Sequence, residues 1–268
     1  MEVYDKAKDI PMEWDEFCKD NFYMQREKLQ FLENVNDCNQ KYYMVYNTEN
    51  ILEACFVMFP FKYEFSKRIK LNVKLIFLPA SVADPGIVAK PNSEALCESL
   101  KKIKGIKLIL STSEDFKLLN GVRQEGLPNC MMKINWDTME EYKNSMRTNY
   151  RNRINKMIKR GNPLTKRILT NQEEFTLEMY NLYRQVMNHA GYVLETLDIE
   201  FFRNNFSKTL VLESENTPKA FVQFAEDGEK IIGEFCGFDY QDRQKYNLYD
   251  NIILGFIQYA IENGFKIF

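Results

Sequence analysis

The sequence predicts an α/β fold built from two similar α+β halves, each a mixed, twisted sheet flanked by helices. Three observations predict it. Runs with period-2 alternation, rich in Val, Ile, Tyr and Phe, take turns with runs of period 3.6. Twice, a three-strand run leads into a helix, a glycine and a further strand. And 268 residues are enough for two domains of about 130 residues, each with its own core.

The first half, 1–136, opens with a helical stretch, "DEFCKDNFYMQREKLQFLENV". Strands follow at "KYYMVYN" and "ILEACFVMFPF", with "TEN" as the turn between them, and then at "LNVKLIFLPA". A helix, "NSEALCESLKKIK", stops at Gly105 and passes into the strand "IKLILS". After a short helical piece at 114–120, "NCMMKINW" reads as one more strand.

The second half, 137–268, starts with a long helix expected from Thr138 to Arg160. Thr138 is the N-cap, and Glu141, three residues on, completes a capping box. "PLTKRILT" is a short strand, and helices are expected at 172–189 and 199–206. The strands "TLVLES", "KAFVQFAE" and "KIIGEFCGFDY" are divided by the turns "ENTP" and "EDGE". The last helix runs from Asn247 to Glu262; Asn263-Gly264 stops it and "FKIF" begins a strand.

The halves share this grammar at an offset of 166 residues for Ala54 against Ala220, and 159 for Gly105 against Gly264. An interval of that length marks a duplicated domain, since solenoid periods run ~20–50 residues. The first copy continues past "IKLILS" to Trp136, whereas the second stops at the equivalent strand. An uncovered edge is costly. The expectation is a natural chain longer than Phe268, or else a sheet completed by the other half.

Composition excludes several classes. Apolar residues make up 45 % and aromatic residues 14 %, so the chain is globular. No apolar run reaches the ~18 residues of a membrane span, and "MEVYDKAKDIPMEW" lacks the apolar centre of a signal peptide. Six cysteines lie scattered without a CxxC pair; a reducing cytoplasm is expected, with no disulfide framework and no metal site. There is no P-loop, no GxGxxG and no EF-hand spacing.

The net charge is −2, but Lys143–Arg167 holds nine basic residues and no acidic one, so the remainder carries −11. Within that run Tyr142, Met146, Tyr150, Ile154 and Met157/Ile158 recur as a buried stripe. Arg147 and Arg151 lie on another side, either as an anion-binding groove or as a solvated face.

The order of helices, meander, helix and parallel strand resembles the GNAT N-acyltransferase fold. Two copies in tandem are similar to its Fem-type, acetyltransferase-like branch, which includes enzymes that add amino acids to peptidoglycan precursors. Two stretches carry the likeness: "WDTMEEYKNSMRTNYRNRINKMIKR", like the basic helix opening the second domain, and "GEFCGFDYQDRQKYNLYDNIILGFIQYAIENGFKIF", like the cofactor-side strand, loop and helix. The resemblance implies transfer of an acyl group from acetyl-CoA or another acyl-CoA to a small amine or amino-acid-type acceptor. It places the donor along Phe235, Cys236, Gly237 and Phe238, and around Arg243, Lys245, Asn247 and Leu248 at the following helix start. The sequence departs from the pattern there: acetyl-CoA-dependent members carry a glycine-rich loop, whereas "QDRQKYNLYD" has no glycine. The Asn247, Leu248 and Tyr249 amides can still meet a phosphate. A Fem-type transferase using aminoacyl-tRNA accounts for both the missing glycines and the basic helix. A non-catalytic binding module on the same fold is the third reading.

Acyl transfer to an amine needs a base and a proton donor for the leaving group. Glu234 is the candidate base; alternation puts it on the face of Cys236, opposite Phe235 and Gly237. Tyr249 is the candidate donor. His189, the only histidine, and Tyr192 are candidate substrate contacts in a break between helices; a packing or solvent role stays open for each. The first half has no matching polar loop before its helix, so a scaffolding role is expected for it.

Overall fold

The computed structural model describes residues 1–66, 69–80, 85–110, 121–122, 130–191 and 196–268. The chain forms two compact units, Met1–Asn129 and Cys130–Phe268. Among the described residues no helix is long and apolar enough to cross a membrane.

In the first unit, β1 (Glu2–Tyr4), α1 (Glu13–Phe17) and α2 (Arg26–Asn34) precede β2 (Lys41–Tyr46), β3 (Leu52–Ser66) and β4 (Ile69–Ile76). The single helical stretch expected here is broken. The Asn21 side chain accepts from the Tyr23 and Met24 amides at 3.1 Å each and starts a separate 3-10 turn. Next come β5 (Ile87–Ala89), α3 (Glu94–Lys102) and β6 (Lys107–Ile109). The sheet order is β1-β2-β3-β4-β6, with β5 also paired to β3. β2-β3-β4 is antiparallel and β4 runs parallel to β6, with α3 in the connection. Tyr43 and Phe56 stack at 4.6 Å in its core.

In the second unit, α4 (Met139–Asn144) and α5 (Thr148–Gly161) take the place of the single long helix expected. Thr138 caps α4 by accepting from the Glu141 amide at 3.1 Å. The Glu141 carboxylate reaches back to the Asp137 amide at 2.9 Å. The break comes at Ser145, whose hydroxyl donates to the Tyr142 carbonyl at 2.7 Å, a competing bond of the kind that ends helices. Arg147 is then extended (φ −58°, ψ 146°) and caps α5. The break resets the helical phase. Tyr142 and Ile154 are buried as expected, but Tyr150 is 60 % exposed and leaves the stripe.

β7 (Thr165–Ile168), α6 (Leu177–His189) and α7 (Ile199–Asn204) lead into β8 (Lys208–Ser214), β9 (Thr217–Asp227) and β10 (Lys230–Phe238). The chain closes with α8 (Arg243–Tyr246) and α9 (Leu248–Glu262). The sheet order is β10-β9-β8-β7, antiparallel throughout. Alternation sends Leu210, Leu212, Val222 and Phe224 to one face, against Ile252, Phe256 and Ala260 of α9. Phe221 faces the other way, against Phe175 and Phe202.

The last residues of the chain enter this sheet between two partners. Ile267 is parallel to Lys230 and antiparallel to Lys133. Ile231 N donates to Ile267 O at 2.9 Å on one side. On the other, Met132 N donates to Phe268 O at 2.8 Å and Phe268 N to Met132 O at 2.9 Å. The strand-like "NCMMKINW", expected to end the first half, thus makes its backbone bonds with the chain's final residues.

The duplication is visible in this geometry. β2-β3-β4, α3 and β6 correspond to β8-β9-β10, α9 and the closing segment. Ala54 and Ala220 both sit fully buried on the middle strand, and Gly105 and Gly264 both adopt positive φ (99° and 75°) after their helices.

Candidate active site

β10 is irregular at its centre. Gly233 pairs with Phe224 and Phe235 with Gln223, so Glu234 is an extra residue opposite none. A bulge of this kind bends the strand and re-aims a side chain. Gly233 fits it because the Phe256 ring lies 3.1 Å from where a Cβ would stand. The bulge overturns the alternation expected for Glu234. Cys236 and Phe238 pack with the α9 cluster. Glu234 points to the opposite face instead, the one holding Phe235, which packs edge-on to Tyr183 of α6 and to Phe201 and Phe202 of α7.

On that face Glu234 accepts a short hydrogen bond from the Ser207 hydroxyl. Ser207 belongs to a network that sequence reasoning missed. Its amide donates to Asn205 Oδ1 at 3.2 Å, and its carbonyl accepts from Gln172 Nε2. Asn205 Nδ2 donates to Gln223 Oε1 at 2.6 Å. Gln223 Nε2 donates to the Phe202 carbonyl at 3.1 Å and to Thr209 Oγ1 at 3.2 Å. Thr209 Oγ1 donates to Gln172 Oε1 at 3.0 Å and closes the ring. Gln223 and Thr209 are fully buried. Buried amides are tolerated only when paired, so this ring holds Ser207, and through it the Glu234 carboxylate, in one place. The signal in the sequence was a polar residue at an inward strand position, Thr209 and Gln223, beside a glycine in a strand, Gly233.

Glu234 lies just past the point where β10 makes its last backbone bond, at Ile231, to the closing segment. Cys236, next along, has its thiol pushed up by burial, so it lines the strand as a neutral apolar group and is no thiolate nucleophile. Gly237 has no room for a side chain: a Cβ there would stand 2.4 Å from the Phe221 ring and 2.5 Å from the Tyr183 amide nitrogen. α6 therefore crosses directly on the strand.

The far end of β10 gathers several of the expected residues. Phe238 is buried, with Tyr240 at 4.9 Å and the Tyr249 ring edge-on at 6.0 Å. His189, the last residue of α6, stacks on Tyr240 at 3.7 Å. The Arg243 guanidinium lies 5.5 Å from the Phe238 ring and 5.6 Å from the Tyr240 ring. α6 is pinned here, because Tyr240 N donates to Gln185 Oε1 at 3.0 Å. Lys219 anchors the loop by pairing with Asp239 at 3.3 Å and Asp242 at 2.7 Å. The ammonium holds the Asp242 carboxyl below its usual value, and Asp242, then Asp239, hold Lys219 above its own. Lys245 lies 4.5 Å over the Tyr246 ring, and its bond to the phenol keeps Tyr246 below the ordinary tyrosine range.

α8 fills the glycine-free stretch with a helical turn of its own, and Asn247, in the left-handed region (φ 54°, ψ 47°), swings the chain into α9. The Leu248 side chain is fully buried, so this residue can offer only its amide. The Asn251 amide is the first to bond back, to Asn247 O at 3.0 Å. Asn247 gives α9 no side-chain cap, so the amides of Leu248, Tyr249 and Asp250 are the orphan donors of a helix start. Three open amides at the start of a 15-residue helix favour an anion, and Arg243 adds a charge beside them.

Glu234 and Tyr249 are not brought together. Tyr249 sits against Phe238, on the α9 face. Glu234 is four residues back on the other face, roughly 13 Å along a strand. Arg147 is exposed at the start of α5. Arg151 is half-buried, donates from Nη2 to the Met146 carbonyl at 3.2 Å, and keeps a buried Nε without an acceptor. Tyr192 lies outside the described residues. Among those residues no three His, Cys, Asp or Glu side chains gather as a metal site.

No family model matches this sequence, and no curated protein matches it. Among solved structures, the crystal structure of FemX aligns with 100 % of this chain and 87 % of its own, with a TM-score of 0.57 and 13 % identity. At that identity the likeness is one of fold. It agrees with an α/β chain of two GNAT-like domains, each a sheet flanked by helices.

Proposed function

We propose that this chain is a Fem-type transferase that takes an aminoacyl group from aminoacyl-tRNA and passes it to the amine of an amino-acid-type acceptor. The observation that carries the reading is the charge on α5. Arg147, Arg151, Arg153, Lys156, Lys159 and Arg160 crowd the 14 residues from 147 to 160, and no carboxylate pairs with any of them among the described residues. Side chains so arranged suit a spread polyanion, whose backbone each neutralises in turn. The fold shared with FemX and the glycine-free start of α9 support the same reading.

In this reading the α9 amides and Arg243 hold an anionic group of the donor, while β10 guides the ester towards Glu234. The acceptor nitrogen attacks the ester carbonyl, its proton passes to Glu234, and as the ester C–O bond breaks Glu234 returns that proton to the departing ribose oxygen, which leaves as the hydroxyl. Ser207 and the amide ring keep the carboxylate aimed, so little reorganisation is needed on reaction.

An acyl-CoA donor is the second reading, favoured by the three open amides alone. One pair of measurements separates the two. Thermal unfolding with acyl-CoAs and free CoA reads CoA binding, since a ligand at about 100 times its Kd adds ~2.7 kcal/mol. Filter binding of aminoacyl-tRNA over a salt series reads the polyanion. The expected result is tRNA binding that weakens steeply with salt and no CoA-dependent shift. A CoA-dependent shift with no tRNA binding would reverse the assignment.

A further inference from the structure

The helical face of the second sheet holds a cavity of about 270 Å³ that acyl transfer does not use. Its floor is apolar: Ile158, Leu164, Leu212 and Leu254. Two lysines, Lys143 and Lys166, are among its lining residues, and no carboxylate is. The space is shaped by two glycines. At Gly161 a Cβ would stand 2.6 Å from the Asn251 side chain, so α5 and α9 meet closely there. At Gly255 a Cβ would stand 3.4 Å from the Lys166 stem, which lies across α9 and brings its amine to Gln258 Oε1. Lys143 pairs with Glu140 at 2.5 Å and is 21 % exposed. An ammonium has three protons, so each lysine keeps donors for a ligand after its present bond. Asn251 is the lining residue nearest the start of α9. Its Nδ2 is committed to the Met157 carbonyl at 2.9 Å and the Tyr246 carbonyl at 2.8 Å.

We propose that this cavity binds a small organic monocarboxylate with an apolar body. The body rests on the leucine and isoleucine floor and the carboxylate bridges Lys143 and Lys166. A volume of about 270 Å³ equals about nine waters at ~30 Å³ each, which suits a ligand of about ten heavy atoms such as octanoate. The inference does not depend on the acyl-transfer reading.

Calorimetric titration of the full chain with octanoate, octanol and octylamine tests it. Octanoate is expected to bind saturably, at least tenfold more tightly than either neutral or cationic analogue. The double variant Lys143→Met/Lys166→Met is expected to lose that tenfold preference, and Leu254→Trp, which fills the floor, to lose binding altogether. Should Leu254→Trp unfold, the lysine variant alone decides. Absence of octanoate binding at millimolar concentration overturns the proposal. So does equal affinity for octylamine, or full affinity in the lysine variant.

Discussion

Replacing Gly237 by alanine should unseat α6 from β10. The added methyl would lie 2.4 Å from Phe221 Cε1, 2.5 Å from the Tyr183 amide nitrogen and 2.7 Å from the Leu182 carbonyl carbon. Two of these three atoms are helix backbone, which cannot turn aside as a side-chain tip can. Relief needs about 1 Å of separation between α6 and the strand, and overpacking of this kind costs about 1–3 kcal/mol or more. Because two of the clashing atoms are backbone, the upper half of that range applies. For a unit of about 140 residues, 2–3 kcal/mol lowers Tm by ~6–12 °C. Differential scanning calorimetry reads it directly. Gly191→Ala is the control: nothing lies within 4 Å of its Cβ position and its φ is not positive, so a shift within ~2 °C is expected.

The same displacement has a local signature. α6 carries Gln185, which accepts from Tyr240 N, and His189, which stacks on Tyr240. Moving α6 should loosen that stack, and the His189 ring protons should shift towards free-solvent positions in the NMR spectrum of Gly237→Ala. A variant with unchanged Tm and unchanged His189 resonances would refute the close approach of α6 to the strand.

Three further outcomes follow from the same geometry. Replacing Arg147, Arg153, Lys156 and Lys159 together by alanine should flatten the log–log salt dependence of tRNA binding by about 0.7–0.9 for each phosphate no longer neutralised, read by filter binding. Asn251→Ala should destabilise the second unit by about 1–3 kcal/mol in urea unfolding, because the Met157 and Tyr246 carbonyls lose their donor. The Lys219–Asp242 pair contributes stability in a defined window. The depressed Asp242 pKa adds stability above its unfolded value of ~3.9, lost as pH falls through the folded value, while the raised Lys219 pKa adds stability below ~10.4, lost as pH rises through its folded value. In Lys219→Met the Asp242 carboxyl should titrate at a higher pH by NMR than in the unaltered chain, because the ammonium that chiefly lowers it is gone.

β1 and β5, three residues each, were not expected, but the strands of the two meanders were legible because the turns are chemically marked: "TEN", "ENTP" and "EDGE" each separate alternating apolar runs. Ala54 against Ala220 located the duplication for the same reason, since both fill the crowded middle strand. The helix at 138–160 was legible in composition but not in continuity. Its break depends on one Ser145 hydroxyl choosing the Tyr142 carbonyl, and periodicity averages over such a choice. The direction of Glu234 was illegible to a strict period of two, because a single extra residue after Gly233 inverts the face. The amide ring behind it joins Gln172, Asn205, Ser207, Thr209 and Gln223, up to 51 positions apart, and only the folded sheet brings them together.

The two copies also differ where it matters for binding. In the first unit α3 begins at Ser93, whose buried hydroxyl accepts from the Leu96 amide at 3.1 Å. That start is closed by its own cap. In the second unit the equivalent helix, α9, begins after a left-handed Asn247 with no side-chain cap, and three of its amides stay open. A natural helix of this length normally finds a cap worth ~1 kcal/mol, so leaving one out carries a cost unless something else meets those amides. An anionic group of the donor would do so. Asn247→Val fits this logic as a probe: a β-branched residue does not hold φ 54° without strain, so the start of α9 should move and donor binding should weaken, while Asn247→Gly, which holds that φ freely, should keep it; unchanged donor binding in a folded Asn247→Val would remove α9's start from the site.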